Sequence, residues 1–373
     1  MLNFKNFKLW IKNGRQLNKN IRCLDISNSY IEFLGNLENL TDLEEINCGN
    51  NQLTSLEGIE NLVNLKILFC SNNLLTSLKE IDNLQFLEEL HCQDNQLTSL
   101  EGIENLVNLK KLNCYNNQLT SLEEIKNLVN LKVLSCGDNK ITSLKVIDNL
   151  NNSHSLKNLY CINNKLTSLE GIENFINLKA LVFSKNKIRS LINLNNLQFL
   201  ELLYCENNEL TSLEGIENLV NLKEIYFSEN QITSLKGMEN LNNLKYLNCN
   251  QNQLTSLEGI ENLVNLEELH CNNNKLTSME GIENLVKLET LNYKNNELTL
   301  LEGIENFTKL IKNNKKIKKQ IYCDFVYSND NIELKKIFGS LIGCEKNNKI
   351  DKYIEKIEKI IEEIYGYQKY VLK

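Results

Sequence analysis

Cysteine and histidine are the side chains in this sequence whose chemistry could go beyond packing, and their spacing decides whether it does. Nine of the twelve cysteines (Cys48, Cys70, Cys92, Cys114, Cys136, Cys161, Cys205, Cys249 and Cys271) stand at one position of a recurring segment. A thiolate can ligate zinc, attack an electrophile or cycle between redox states. Zinc wants four donors converging on a tetrahedron, whereas a regular file supplies one thiol per turn along a line. Phe183, Phe227 and Tyr293 take the same position in other segments. A position that accepts cysteine or an aromatic ring is an apolar core position, because free cysteine packs as a small hydrophobe. No metal and no other cofactor is expected. Histidine offers His91, His154 and His270. His91 and His270 share one position of the pattern but lie eight turns apart, about 38 Å at the usual strand spacing, so they form no dyad. Each glycine of the recurring E-G-I-E belongs to a turn, and no phosphate-cradling loop is present. Without a convergent acid, base or nucleophile, no enzyme is expected.

The elements that would hold these residues follow from the repeat. Thirteen units open at Ile21, Leu43, Leu65, Leu87, Leu109, Leu131, Leu156, Leu178, Leu200, Leu222, Leu244, Leu266 and Leu288. Each has 22 residues except the sixth, which has 25 through an insertion at Asn151 to Ser155. Numbered from the opening residue, a unit reads L-x-x-L-x-C-x-x-N-x-L-T-S-L-E-G-I-E-N-L-x-N. Positions 3 to 5 fit a short parallel strand, with position 4 inward and positions 3 and 5 on the concave face. Position 6 also turns inward. Apolar positions 11, 14, 17 and 20 bring a looser return segment back over the core. One unit cannot bury this surface alone, and stacking buries it. Position 9 is Asn in twelve units, from Asn51 to Asn296, and its amide can satisfy the backbone of the turn after each strand.

This pattern resembles the leucine-rich-repeat family, in particular its 22-residue class of phosphatase-regulator (SDS22-like) and internalin-like proteins. The resemblance covers about three quarters of the chain. The richness in Asn, Lys and Ile and the lack of proline are similar to repeat proteins of giant DNA viruses or AT-rich protists. The fold implied is an α/β repeat solenoid: a curved leucine-rich-repeat array with a parallel β-sheet on the concave face and helical caps. The expected division is an N-terminal helical cap over 1–20, thirteen repeats over 21–309, and a C-terminal helical cap or tail over 310–373. Leu2, Phe4, Phe7, Leu9, Trp10 and Ile11 suit a short capping helix, and Ile350, Tyr353, Ile354, Ile357, Ile361 and Ile364 recur at helical steps. Cys323 and Cys344 lie in the tail. Bacterial leucine-rich-repeat ubiquitin ligases use a C-terminal cysteine, but their catalytic domains far exceed the 64 residues after Lys309.

The net charge of −7 is unevenly placed. Residues 1–20 hold five basic and no acidic residues, and residues 309–373 hold fifteen lysines against nine acids. That leaves twenty-one basic against thirty-nine acidic residues over 21–308, a charge of −18. Positions 15 and 18 supply much of it, as in Glu101 with Glu104 or Glu258 with Glu261, and read as two solvated acidic stripes on the convex side. Such a field disfavours nucleic acid as a ligand. The basic run from Lys309 to Lys319 admits a polyanion contact or a nuclear address, and reads first as a solvated helix end. No stretch reaches the roughly 18 consecutive apolar residues that span a membrane. Lys5, Lys8 and Lys12 interrupt the N-terminus where a signal peptide needs an apolar core. The expectation is an intracellular, cytoplasmic monomer with reduced thiols.

The functional signal comes from the concave face. Positions 3 and 5 are Glu45 and Asn47, Ile67 and Phe69, then Glu89 and His91 in early units. From the seventh unit they become Tyr160, Ala180, Val182, Leu202, Tyr204, Tyr226 and Tyr246. Apolar and aromatic side chains at outward strand positions are the composition of a protein-binding region. Tyr160, Val182, Leu202, Tyr204, Tyr226 and Tyr246 are therefore the partner-binding candidates. The expected function is a non-enzymatic protein–protein interaction scaffold. The resemblance also admits a regulatory subunit of an enzyme such as a protein phosphatase, and a structural virion component is a further reading.

Overall fold

The computed structural model describes residues 2–3, 21–35, 37, 39–145, 155–298 and 310. The chain forms two compact units, Met1–Glu209 and Leu210–Lys373. In the first unit the strands are β1 (Leu2–Asn3), β2 (Cys23–Asp25), β3 (Glu45–Asn47), β4 (Ile67–Phe69) and β5 (Glu89–His91). They continue with β6 (Lys111–Asn113), β7 (Val133–Ser135), β8 (Asn158–Tyr160), β9 (Ala180–Val182) and β10 (Leu202–Tyr204). Each pairs with the next in parallel. The second unit holds β11 (Glu224–Tyr226), β12 (Tyr246–Asn248), β13 (Glu268–His270) and β14 (Thr290–Asn292), again parallel and in chain order.

A three-residue strand has too few ladder bonds to stand alone, so the stack supplies its stability. The register never slips: like positions face each other, as Ile46 faces Leu68 and Leu247 faces Leu269. Position 4 is buried in every one of β2 to β14, while positions 3 and 5 are at least partly exposed except at Ala180. This alternation holds the strand face outward and the leucine column inward.

The return segments explain themselves through a spacing of three. Leu56, Ile59, Leu62 and Leu65 are fully buried, and each N–H after the first donates to the carbonyl three residues back, at 3.3, 2.9 and 2.9 Å. Successive i→i+3 turns advance the chain three residues at a time and keep this stripe on the core; an α-helix would rotate it away, and Gly58 at φ +104° breaks continuous helical winding. Full 3-10 helices form at Lys79–Ile81, Glu123–Ile125, Ile192–Leu194 and Ile282–Asn284. None of the described return segments is an α-helix, so the architecture is a parallel β-solenoid rather than an α/β one.

Two further readings are refined. Leu2 pairs with Leu24 and Asn3 with Asp25, the same 22-residue step as within the array, at the start of the segment expected to form a capping helix. A strand in register satisfies the ladder groups that β2 would otherwise leave open at the sheet edge, which a helix laid across that edge would not. The rest of 1–20 lies outside the described residues. So do residues 299–309, most of the insertion in the sixth repeat, and the tail beyond Leu310 with Cys323, Cys344 and the basic run. The second refinement concerns position 18, which is more than a solvated stripe. Gly102 N–H donates to the Glu104 carboxylate at 2.8 Å, and Gly259 N–H to Glu261 at 2.9 Å. These glycines hold φ of +110° and +107°, so the carboxylate closes a turn that glycine permits.

Candidate functional site: the outward strand face

The cysteine column is core. All nine thiols are fully buried, and Cys48 Sγ donates to Phe69 O at 3.3 Å, Cys92 Sγ to Asn113 O at 3.4 Å and Cys249 Sγ to His270 O at 3.2 Å. Burial pushes the thiols of Cys48, Cys92, Cys136 and Cys249 up to about 12, and those of Cys70, Cys114, Cys161, Cys205 and Cys271 also upward. A thiol held protonated is a poor nucleophile. Among the described residues no group of three or more His, Cys, Asp or Glu is placed to hold a metal ion.

The two described histidines stand on the strand face in matching E-L-H strands. His91 stacks on Phe69 with ring centroids 4.7 Å apart, and its Nε2 lies 3.6 Å from Glu89, whose carboxylate also takes Lys111 at 2.8 Å. His270 Nε2 lies 3.3 Å from Glu268, and Asn292 Nδ2 lies 2.7 Å from His270 Nδ1. Both clusters are partly exposed polar groups on the strand face.

The six binding candidates all occupy outward, half-buried strand positions. In the first unit Tyr160 faces Val182, Val182 faces Tyr204, and Leu202 stands two residues before Tyr204 on β10. These four form one apolar surface across β8, β9 and β10. Ala180, opposite both Asn158 and Leu202, is buried among them. Tyr160 keeps its hydroxyl bonded to the amide of Asn158, which donates at 3.2 Å. In the second unit Tyr226 faces Asn248, while Tyr246 faces Glu224 and Glu268, so the two tyrosines occupy different columns. The Tyr246 hydroxyl donates to Glu267 at 3.4 Å, and the charge of that carboxylate raises the phenol above its ordinary range.

Two features escaped sequence reasoning. The first is an exposed apolar edge before the strands, at positions 21 and 22: Val63, Phe86, Val107, Ile176 and Phe199 in the first unit, Val220, Val264 and Val286 in the second. The sequence signal was the recurring L-V-N, in which the valine looks variable. The second is the charge file at position 2. In the first unit it runs Arg22, Glu44, Lys66, Glu88, Lys110, Lys132, Lys157, Lys179 and Glu201. Arg22 and Lys66 flank Glu44 at 3.1 and 2.8 Å, Lys110 holds Glu88 at 2.6 Å and Lys179 holds Glu201 at 3.0 Å. Among the described residues Lys132 and Lys157 have no ion-pair partner, and both are exposed.

Parallel strands stacked in constant register, with a patterned outer face over a buried leucine and cysteine core, define a repeat solenoid. The sequence matches the leucine-rich-repeat family model over residues 19–152 and 198–284 in overlapping two-repeat copies. The chain belongs to the leucine-rich-repeat family. Its structure is similar to an internalin, InlF, of Listeria monocytogenes, at 27% identity and a TM-score of 0.74, covering 79% of this chain and 86% of that one. It is also similar to the functional domain of InlJ from the same organism, which includes a cysteine ladder, at 30% identity and a TM-score of 0.65 over 78% of this chain and 66% of that one. YopM of Yersinia enterocolitica is similar at 25% identity and a TM-score of 0.62, over 79% and 64% of the two chains. No curated protein matches the sequence. Leucine-rich-repeat proteins are typically protein-interaction scaffolds and generally non-enzymatic.

Proposed function

We propose that this chain is a non-enzymatic scaffold that binds a protein partner on the outward strand face of its first unit. The observation that carries this reading is the in-register file of Tyr160, Val182 and Tyr204 with Leu202 beside it: apolar side chains that the core does not need, held on rigid strands. Tyrosine suits such a place because its ring buries against a partner while the hydroxyl keeps a polar contact. An intracellular setting goes with this reading, supported by ten described cysteines with free thiols, nine of them buried.

The test is capture of the partner from native cell extract by the full chain, compared with a variant carrying Val182→Ser and Tyr204→Ser. The variant should melt close to the parent, since neither side chain belongs to the core, and should lose about 2 kcal/mol or more of binding per anchor. Glu57→Lys, at an exposed return position, is the control and should capture normally. Capture that survives the strand pair but fails with the control would move the interface to the return side.

A further inference from the structure

The array over 21–308 carries −18, yet from β7 to β10 the outward strand positions hold no acid at all: Val133, Ser135, Asn158, Tyr160, Ala180, Val182, Leu202 and Tyr204. Along the margin of this window run four consecutive lysines at position 2. The outer two are neutralised by Glu88 and Glu201. The inner two, Lys132 and Lys157, stand immediately before β7 and β8, with about 4.8 Å between rungs and no ion-pair partner among the described residues. Like charges so close repel, and one carboxylate placed between them would take a hydrogen bond from each.

We propose, resting on the reading above, that the window from β7 to β10 takes an acidic peptide segment of the partner, with a carboxylate bridging Lys132 and Lys157 and apolar side chains lying across Val133, Val182 and Leu202. Charge and apolar surface adjoin here as such a segment requires. A single carboxylate brings one negative charge to the pair. A nucleic-acid backbone would bring a run of charges into the repulsive field of the remaining array.

The experiment selects short random peptides displayed on phage against the full chain, then measures binding of the selected peptides to three proteins: the parent, Lys132→Glu with Lys157→Glu, and Val182→Ser with Tyr204→Ser. The milder Lys132→Gln with Lys157→Gln guards against a folding defect, which melting curves would reveal. The expected selection is enriched in Asp or Glu next to apolar residues, with affinity lowered about tenfold or more by the lysine reversal, less by the glutamine pair, and weakened by added salt. If selected peptides lose affinity for the serine pair but bind the lysine variants as tightly as the parent, the strand-face reading stands and this inference falls. If neither pair changes binding, both fall. Selection of basic peptides, or of none, also overturns the acidic-segment assignment.

Discussion

At the scale of single residues, the position 9 amide does the most with the fewest atoms. Asn252 accepts the Ile232 N–H at 2.9 Å and donates to the carbonyls of Phe227, Cys249 and Asn250 at 3.0, 3.2 and 3.1 Å. One planar group thus closes its own turn and ties it to the turn of the preceding repeat. Asn252→Ala strands these groups in a buried turn and should destabilise the protein by about 1–3 kcal/mol, read as a lowered urea midpoint. An unchanged midpoint would show that water replaces the amide. Twelve asparagines at one position made this role legible from sequence. The residue before each of them was not legible. Position 8 is left-handed in every repeat, with φ between 48° and 58°; ten are Asn or Asp, but Lys185, Glu229 and Gln251 hold the same conformation. The turn's hydrogen bonds impose that backbone whatever the side chain, so residue type is only a partial signal.

Among elements, the return segments show what a spacing of three can and cannot tell. The apolar stripe at positions 11, 14, 17 and 20 was readable, but its winding was not, because a loose return and a 3-10 return bury the same leucines. The N-terminal end shows a related ambiguity: the apolar residues near Leu2 suit helix or strand, and at Leu2–Asn3 the open edge of β2 takes a strand. Within the returns, position 16 separates two kinds of glycine. A Cβ on Gly102 would sit 2.3 Å from the Leu78 carbonyl oxygen and 2.9 Å from Lys79 Cα, backbone atoms of the neighbouring repeat. On Gly237 the nearest atom is 3.4 Å away, on the flexible Glu217 side chain. Gly237→Ala should therefore cost only the positive-φ strain, about 1–2 kcal/mol. Gly102→Ala adds a clash that must push two repeats apart, and should cost about 3–5 kcal/mol. Equal losses in the two variants would mean that φ alone determines the glycine.

For the molecule as a whole, the apolar strand face was legible as composition, while the contrast between paired and unpaired lysines needed the register that brings position 2 residues side by side. The thiol column was legible as core, and its collective consequence is a sensitivity to alkali. A thiol with an ordinary value of 9.0 in the unfolded chain and about 12 in the fold, as for Cys48, Cys92, Cys136 and Cys249, is protonated in both states at neutral pH and contributes no pH dependence there. Above pH 9 the unfolded chain releases the proton and the folded one keeps it, so stability falls as pH rises, by about 1.4 kcal/mol per pH unit for each thiol. The other five column thiols shift the same way, so the losses of the nine add in one direction. The circular-dichroism melting temperature should stay level from neutral pH to about pH 8 and fall with increasing steepness through pH 9 and above. Surface ion pairs such as Lys245–Glu267 also weaken as lysine deprotonates, but added salt screens those and leaves buried thiols untouched. The fall should therefore persist at high salt, and Cys48→Ala with Cys92→Ala should make it shallower despite the cavities left at neutral pH. A melting temperature that stays level to pH 11, or a transition whose steepness ignores both substitutions, would show that the column does not hold its protons against alkali.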